Sequence, residues 1–331
     1  MIKPSRCTVA VAAFVLCVGL GLWTVRRERE PVFEGKPLSY WLHEYSATMV
    51  AGAIPRTEPD LAARNEKAVK AVRVIGTNAI PSLLKMLRAK DSTFIRKLHD
   101  WARIVKISND SASDRNDAGA DGFVILGAAA QNAVPRIAEI FEENISPSSV
   151  VAAASALCAI GPSASAAVPS LLRGATNSDP VVRLNAISPL RRITASPEEA
   201  IPVLIMALSD TDFRVQSIAF RDLGEAGAKA VEAVPVLVHL ATNADVRLRR
   251  SASGTLGRIC SAPEMAVPTL VLCLEDQDTS VRKLSALSLG NFGEQAKQAA
   301  PELTRLLHDK EPEVREAAKN ALKKIGYPSY D

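Results

Sequence analysis

AVPTLVLCLEDQDTSVRKLSALSLGNFG, residues 266–293, reads as two short helices joined by an acidic turn. Pro268 suits a first helical turn, where its missing N–H would have no intrahelical partner anyway. Leu270 follows two residues on. Asp278 then stands where an N-cap carboxylate accepts from the free amides of a second helix, whose apolar positions include Val281 and Leu289. Gly293 closes that helix, as a residue of positive φ does.

The same unit recurs on both sides of this stretch. Ala-(Ile/Val/Ala)-Pro occurs at Pro81, Pro135, Pro169, Pro202, Pro235, Pro268 and Pro301, with successive gaps of 54, 34, 33, 33, 33 and 33 residues. Leu83, Ile137, Leu171, Leu204, Leu237, Leu270 and Leu303 follow two places on. A second lattice keeps step: Val182, Val215, Leu248, Val281 and Val314, with Leu223, Leu256, Leu289 and Leu322 eight residues beyond the last four. Before them stand the capping acids Asp179, Asp212, Asp245, Asp278 and Glu311. Four residues after each acid comes Arg183, Gln216, Arg249, Arg282 or Arg315, near enough to bridge turns within or between repeats. Gly76, Gly127, Gly161, Gly227, Gly293 and Gly326 end many of the second helices. The pairs Asp210/Asp212 and Asp276/Asp278 have the spacing of metal ligands, but their recurrence at every turn makes them part of the cap.

One such helix pair cannot cover both of its apolar faces. Stacked neighbours can, so the sequence predicts an all-α right-handed α-α superhelix whose stability is a sum of nearest-neighbour terms. Composition agrees: hydrophobic residues make up 47% of the chain and aromatics only 5%, which suits closely packed Ala, Val, Leu and Ile helices. These residues resemble HEAT repeats, in particular the short bacterial HEAT-like type also found in phycobilisome lyases. The resemblance rests on the AxPxL outer helix, on Asp278–Arg282 at the turn and on SLGNFG (Ser288–Gly293), and it covers residues 60–326. GKPLSYWL (Gly35–Leu42) is similar to the opening of membrane-anchored or secreted bacterial HEAT-repeat proteins. The TPLHxA signature of ankyrin repeats is missing, as are the bulky positions of tetratricopeptide repeats.

Residues 8–25, TVAVAAFVLCVGLGLWTV, carry no charge and would span roughly 27 Å as a helix, enough for a bilayer core. They are expected to be a transmembrane signal anchor after a basic segment, 1–7, with a cleaved signal peptide as the rival reading. Basic residues flank both sides of the span, so the positive-inside rule gives no orientation. The short basic start followed by one apolar run favours a repeat domain exported to the periplasmic or extracellular side. Residues 26–59 read as a linker and an N-terminal capping helix, with Leu38, Trp41, Leu42 and Tyr45 on one face and a loop from Met49 to Pro59. The last residues, 327–331, form a tail.

The first gap exceeds one repeat by 21 residues and defines an insertion at 92–121. Its first part, Ser92–Ile107, carries Phe94, Ile95, Leu98, Trp101, Ile104 and Val105 on one side of a helix. Its second part, Ser108–Asp121, is polar and is expected to be a flexible, solvated loop.

Chemistry is sparse. The net charge is +4, of which residues 1–30 hold +3, leaving a nearly neutral body that lacks the electrostatic footprint of a nucleic-acid binder. His43, His99, His239 and His308 are dispersed. HEAT-like hydroxylases that bind iron carry several His-Glu pairs at repeat positions, whereas His43-Glu44 stands alone outside them. Cys158, Cys260 and Cys273 sit among apolar residues as small core fillers, and Cys7 and Cys17 lie in or beside the anchor. No catalytic, metal or cofactor constellation is visible, and no cofactor is expected. The inner helices of HEAT arrays usually line the concave side, which makes Arg192, Arg221, Arg250, Arg258, Lys283 and Lys324 candidates for partner contact, interleaved with Asp222, Glu225 and Glu316. The expected function is a membrane-tethered scaffold for protein partners. The alternatives are an enzyme of the bilin-lyase-like class and, more remotely, nucleic-acid binding.

Overall fold

A computed structural model describes residues 30–51, 59–91, 111–194 and 196–327. The anchor read at 8–25, the first part of the insertion (92–110) and the end of the tail lie outside the described residues. The chain divides into two compact units, Met1–Ser82 and Leu83–Asp331.

In the first unit, β1 (Val32–Phe33) pairs antiparallel with β2 (Lys36–Pro37) through Glu34 and Gly35, both at positive φ (46° and 74°) as a two-residue hairpin turn requires. The stretch expected to be a coreless linker is thus partly structured. Trp41 of α1 (Leu38–Ala51) supplies what the hairpin packs on: its indole N–H donates to the Phe33 carbonyl at 3.2 Å, and the two rings meet edge-on at 5.9 Å. Helix α1 continues to Ala51, into what was expected to be loop, and α2 (Pro59–Ile75) buries Ala68, Ala71 and Val72. The isolated His43 is exposed, and Glu44 is held by Arg64 at 2.8 Å.

Outer and inner helices then alternate. Helix α3 (Ile80–Leu87) is followed by α4 (Ala112–Leu126), α5 (Val134–Glu143), α6 (Pro147–Ile160), α7 (Val168–Gly174), α8 (Pro180–Ile193), α9 (Ile201–Ala207) and α10 (Phe213–Ala226). The series continues with α11 (Val234–Leu240), α12 (Val246–Ile259), α13 (Pro263–Cys273), α14 (Thr279–Phe292), α15 (Ala300–Leu306) and α16 (Pro312–Lys324). Odd-numbered helices from α3 are outer and even-numbered ones from α4 are inner. The helix-starting proline lies in the first turn of α3, α5, α7, α9, α11 and α15. Both the alanine of AxP and the Leu or Ile beyond the proline are buried in every copy. The inner-helix lattice is buried as well, except Leu248, which is half-exposed. Among the described residues, one helical run, Pro147–Gly174, is long and apolar enough to cross a membrane. It consists of α6, α7 and the turn between them, and half of it is buried in the stack.

Three expectations need correction. Ser108–Asp121 is not a flexible loop over its described part. Ser111 caps α4, the Asp114 carboxylate accepts from the Ser111 N–H, and the helix runs from Ala112. Polar composition misled there, because the burial uses small residues and one amide: the Asn116 side chain donates to the carbonyls of Met86, Leu87 and Ala89, sealing the end of α3. Pro268 does not start its helix but lies inside α13, which begins at Pro263. Cys260 is no core filler: it is part-exposed at φ 48°, capping α12.

The last two corrections share a cause. Gly127, Gly161, Gly227 and Gly293 adopt φ between 53° and 70° with ψ near −135°, each opening a seven-residue 3-10 turn that leads into the next outer helix. That combination of angles is closed to residues with a Cβ. Thr194 and Cys260 stand at the equivalent places 33 residues along the same series. Thr194 takes an extended conformation, and its 3-10 turn shrinks to Pro197–Ala200. After Cys260 the turn is replaced by a second positive-φ residue, Ala262, and an early helix start.

The turns between outer and inner helices lock the repeats together. The side chains of Asp179, Asp212, Asp245 and Asp278 accept from amides two or three residues ahead, while Glu311 caps α16 without a side-chain bond. Arg183 does not pair with its own cap but reaches Asp210 of the next repeat, at 2.7 Å from both Nε and Nη2, and its Nη1 donates to the carbonyls of Asn177 and Ser178. Arg249 and Arg282 repeat this with Asp276 and Asp309. Charge-assisted bidentate pairing of this kind is directional as well as strong. It holds the Asp210 and Asp309 carboxyls below the usual carboxylate range. Gln216 interrupts the Arg series, and Asn243, 27 residues on, interrupts the acids, so the neutral residues come as a pair. Arg315 keeps, among the described residues, the two carbonyl contacts without a carboxylate.

Candidate functional site

Consecutive inner helices pack far more closely on one another than consecutive outer helices do, which places the inner row on the concave side of the second unit. Small residues permit that approach. A Cβ at Gly257 would lie 2.6 Å from Ser288 Cα, and one at Gly290 would lie 3.0 Å from Ala321 Cα. Hydroxyls then stitch the same seam: Thr255 donates to the Phe220 carbonyl and Ser288 to that of Ser253. Asp222 occupies the same column and cannot donate while ionised. Its Oδ1 is held by Arg221 at 2.8 Å, and its buried Oδ2 has no partner among the described residues.

Toward the N-terminal end of this face the inner helices leave a groove of about 750 Å³. Its walls include Val124 of α4, Ser155 and Cys158 of α6, and Asn185, Pro189 and Arg192 of α8. The lining is small and mostly carbon. Val124 is 48% exposed. Pro189 sits inside α8, where it has no N–H to offer the carbonyl four residues back, and its ring forms part of the groove wall. Burial pushes the Cys158 thiol up from its usual range, against the opposing pull of Arg192 and Arg191.

The six basic residues picked from sequence fall into different situations. Arg221 is tied to Asp222, Arg250 to Asp278 across the repeat boundary, and Lys283 to Glu313 at 2.8 Å. Arg258 lies over Gly224 and donates to Thr255 Oγ1, and Lys324 donates to Asn291 Oδ1. Arg192 lines the groove, is exposed, and forms no ion pair among the described residues. The neighbouring Arg191 is occupied by Glu225 at 3.0 Å. The inner face is therefore a mixed, largely self-paired surface on which Arg192 meets the Cys158 thiol but, among the described residues, no carboxylate. Sequence reading missed Cys158, Ser155 and Asn185 as groove residues. The available signal was Pro189, a breaker inside an otherwise regular helix.

The family described as HEAT repeats matches residues 134–219, 201–271 and 267–330. No curated protein matches the chain. Among solved structures, importin beta aligns with a TM-score of 0.52 at 14% identity, over 87% of this chain and 45% of that protein, a likeness of fold alone. This chain thus corresponds to less than half of importin beta's length. Two engineered proteins align at TM-scores of 0.42 and 0.43: one at 29% identity over 62% of this chain and 96% of its own, the other at 22% over 88% and 95%.

Proposed function

We propose that this chain, which belongs to the HEAT-repeat family, is a membrane-tethered scaffold that holds a protein partner on the concave face of its inner helices. The observation that carries this reading is the joined array itself. Arg–Asp pairs lock successive turns and glycine seams close successive inner helices, so a long surface is presented with few internal degrees of freedom. A preorganised surface loses little entropy when a partner binds. Among the described residues no group of three His, Cys, Asp or Glu side chains is placed to hold a metal ion, and the abundant acids serve the turns.

Residues 8–25 are proposed as the signal anchor, with the repeats exported to the periplasmic or extracellular side. The uncharged run and its basic flanks support this. The kinship is proposed to lie with the short bacterial HEAT-like type, on the strength of the AxPxL and D-x-x-VR motifs.

Affinity purification of the full chain from solubilised membranes tests the scaffold. A reproducible protein partner should be recovered by the wild type and lost when the groove-side and central arginines are reversed together (Arg192→Glu with Arg221→Glu). Recovery of no partner, or of one indifferent to the concave face, refutes it. Protease accessibility of the repeat domain in intact cells, compared with lysed cells, tests the orientation.

A further inference from the structure

We propose that the groove between α4, α6 and α8 receives an extended peptide segment of the partner, with an acidic side chain seated on Arg192 and small aliphatic side chains in the hollow over Cys158. This deepens the scaffold reading and rests on it. Two features of the groove converge on that occupant. The hollow, about 750 Å³ and open to solvent, is walled in part by Val124, Ala128, Ala154 and Pro189, which suit small aliphatic side chains. It runs across three successive inner helices, as a chain laid along the stack would.

Charge selects the acidic side chain. Arg192 lines the groove with no carboxylate on it among the described residues, while the nearby acids are already engaged: Asp222 by Arg221 and Glu225 by Arg191. A basic peptide would meet an unopposed guanidinium at the groove and find those carboxylates occupied. An acidic one completes a charge-assisted pair, with the planar donor geometry that suits carboxylate recognition.

The test is a selection from a random linear dodecapeptide library on the full chain in detergent, followed by binding titration of the enriched peptides. The wild type should enrich peptides that carry Asp or Glu beside small aliphatic residues. Arg192→Glu should weaken those peptides at least tenfold and select Lys- or Arg-containing ones instead. Ser155→Trp, which fills the hollow from an exposed position without changing charge, should abolish binding of both sets. Lys283→Glu, on the same face but far along the stack, should leave the wild-type peptides unaffected. Because Arg192 and Ser155 are exposed, thermal melts of both variants should match the wild type. Acidic peptides that bind Arg192→Glu and Ser155→Trp unchanged would overturn the groove assignment and move recognition elsewhere, leaving the scaffold intact. No enrichment on the wild type, with no partner recovered from membranes, would overturn both.

Discussion

Arg249 and Asp276, on successive repeats, meet side-on: Nε lies 2.7 Å from Oδ2 and Nη2 lies 3.0 Å from Oδ1. Neither partner is more than a fifth exposed, and Asp276 also accepts the amide of Asp278. One carboxylate therefore orders its own turn and tethers the repeat before it.

That arrangement predicts strong coupling. Asp276→Asn should cost about 2 kcal/mol, since it removes a charge-assisted acceptor from a mostly buried guanidinium. Arg249→Gln should cost a similar amount. The double variant, which installs the neutral combination found at Gln216 and Asn243, should lose clearly less than the sum of the two. Urea midpoints of the four proteins give the coupling energy directly.

Stability should fall in acid. Asp212 and Asp278 are depressed to about 2, Asp212 chiefly by its hydrogen bond from Arg214 and Asp278 chiefly by that from Arg250. An unfolded aspartate titrates near 3.9, so the stabilisation is complete above about pH 5 and is lost as pH falls toward about 2. Asp278→Asn should flatten that part of the pH profile measured by thermal melting, and added salt should weaken the effect, because the arginines concerned are exposed.

Two glycines on α12 should respond in opposite directions. At Gly257 an added methyl meets the backbone of Ser288, so Gly257→Ala should cost about 2 kcal/mol by forcing α12 and α14 apart. At Gly254 the nearest atom is Leu284 Cδ2 at 3.7 Å, an ordinary contact. Gly254→Ala should therefore raise stability by roughly 0.5–1 kcal/mol through helix propensity alone. Melting both variants side by side separates seam packing from propensity.

Asp222→Ser should raise stability by about 1 kcal/mol. It removes a buried, unpartnered carboxylate oxygen and supplies a hydroxyl at the column where Thr255 and Ser288 already donate across the seam. The arginines released, Arg191 and Arg221, are both about half exposed and stay solvated. A fall in melting temperature would show that Asp222 contributes more through those ion pairs than its burial costs.

Much of this architecture is written in local chemistry. Proline lacks an N–H, so six of the seven AxP sites mark a first helical turn whatever surrounds them. Aspartate reaches an amide two or three residues ahead, so Asp179 and Asp278 declare their helices from a few letters. The repeat spacing of 33 then dictates stacking, because no single pair buries its faces. Tertiary structure decided what depends on the angle and distance between repeats. Arg249 chose the acid of the next turn over its own cap. Asn116 found three carbonyls in what read as a polar loop. Arg192 lines a hollow with no carboxylate on it among the described residues, while Arg250 and Lys283 were claimed by neighbours. Local rules act over a few residues, whereas a side chain's partner across a repeat boundary is set by how two helices cross, and that is fixed only once the whole stack is packed.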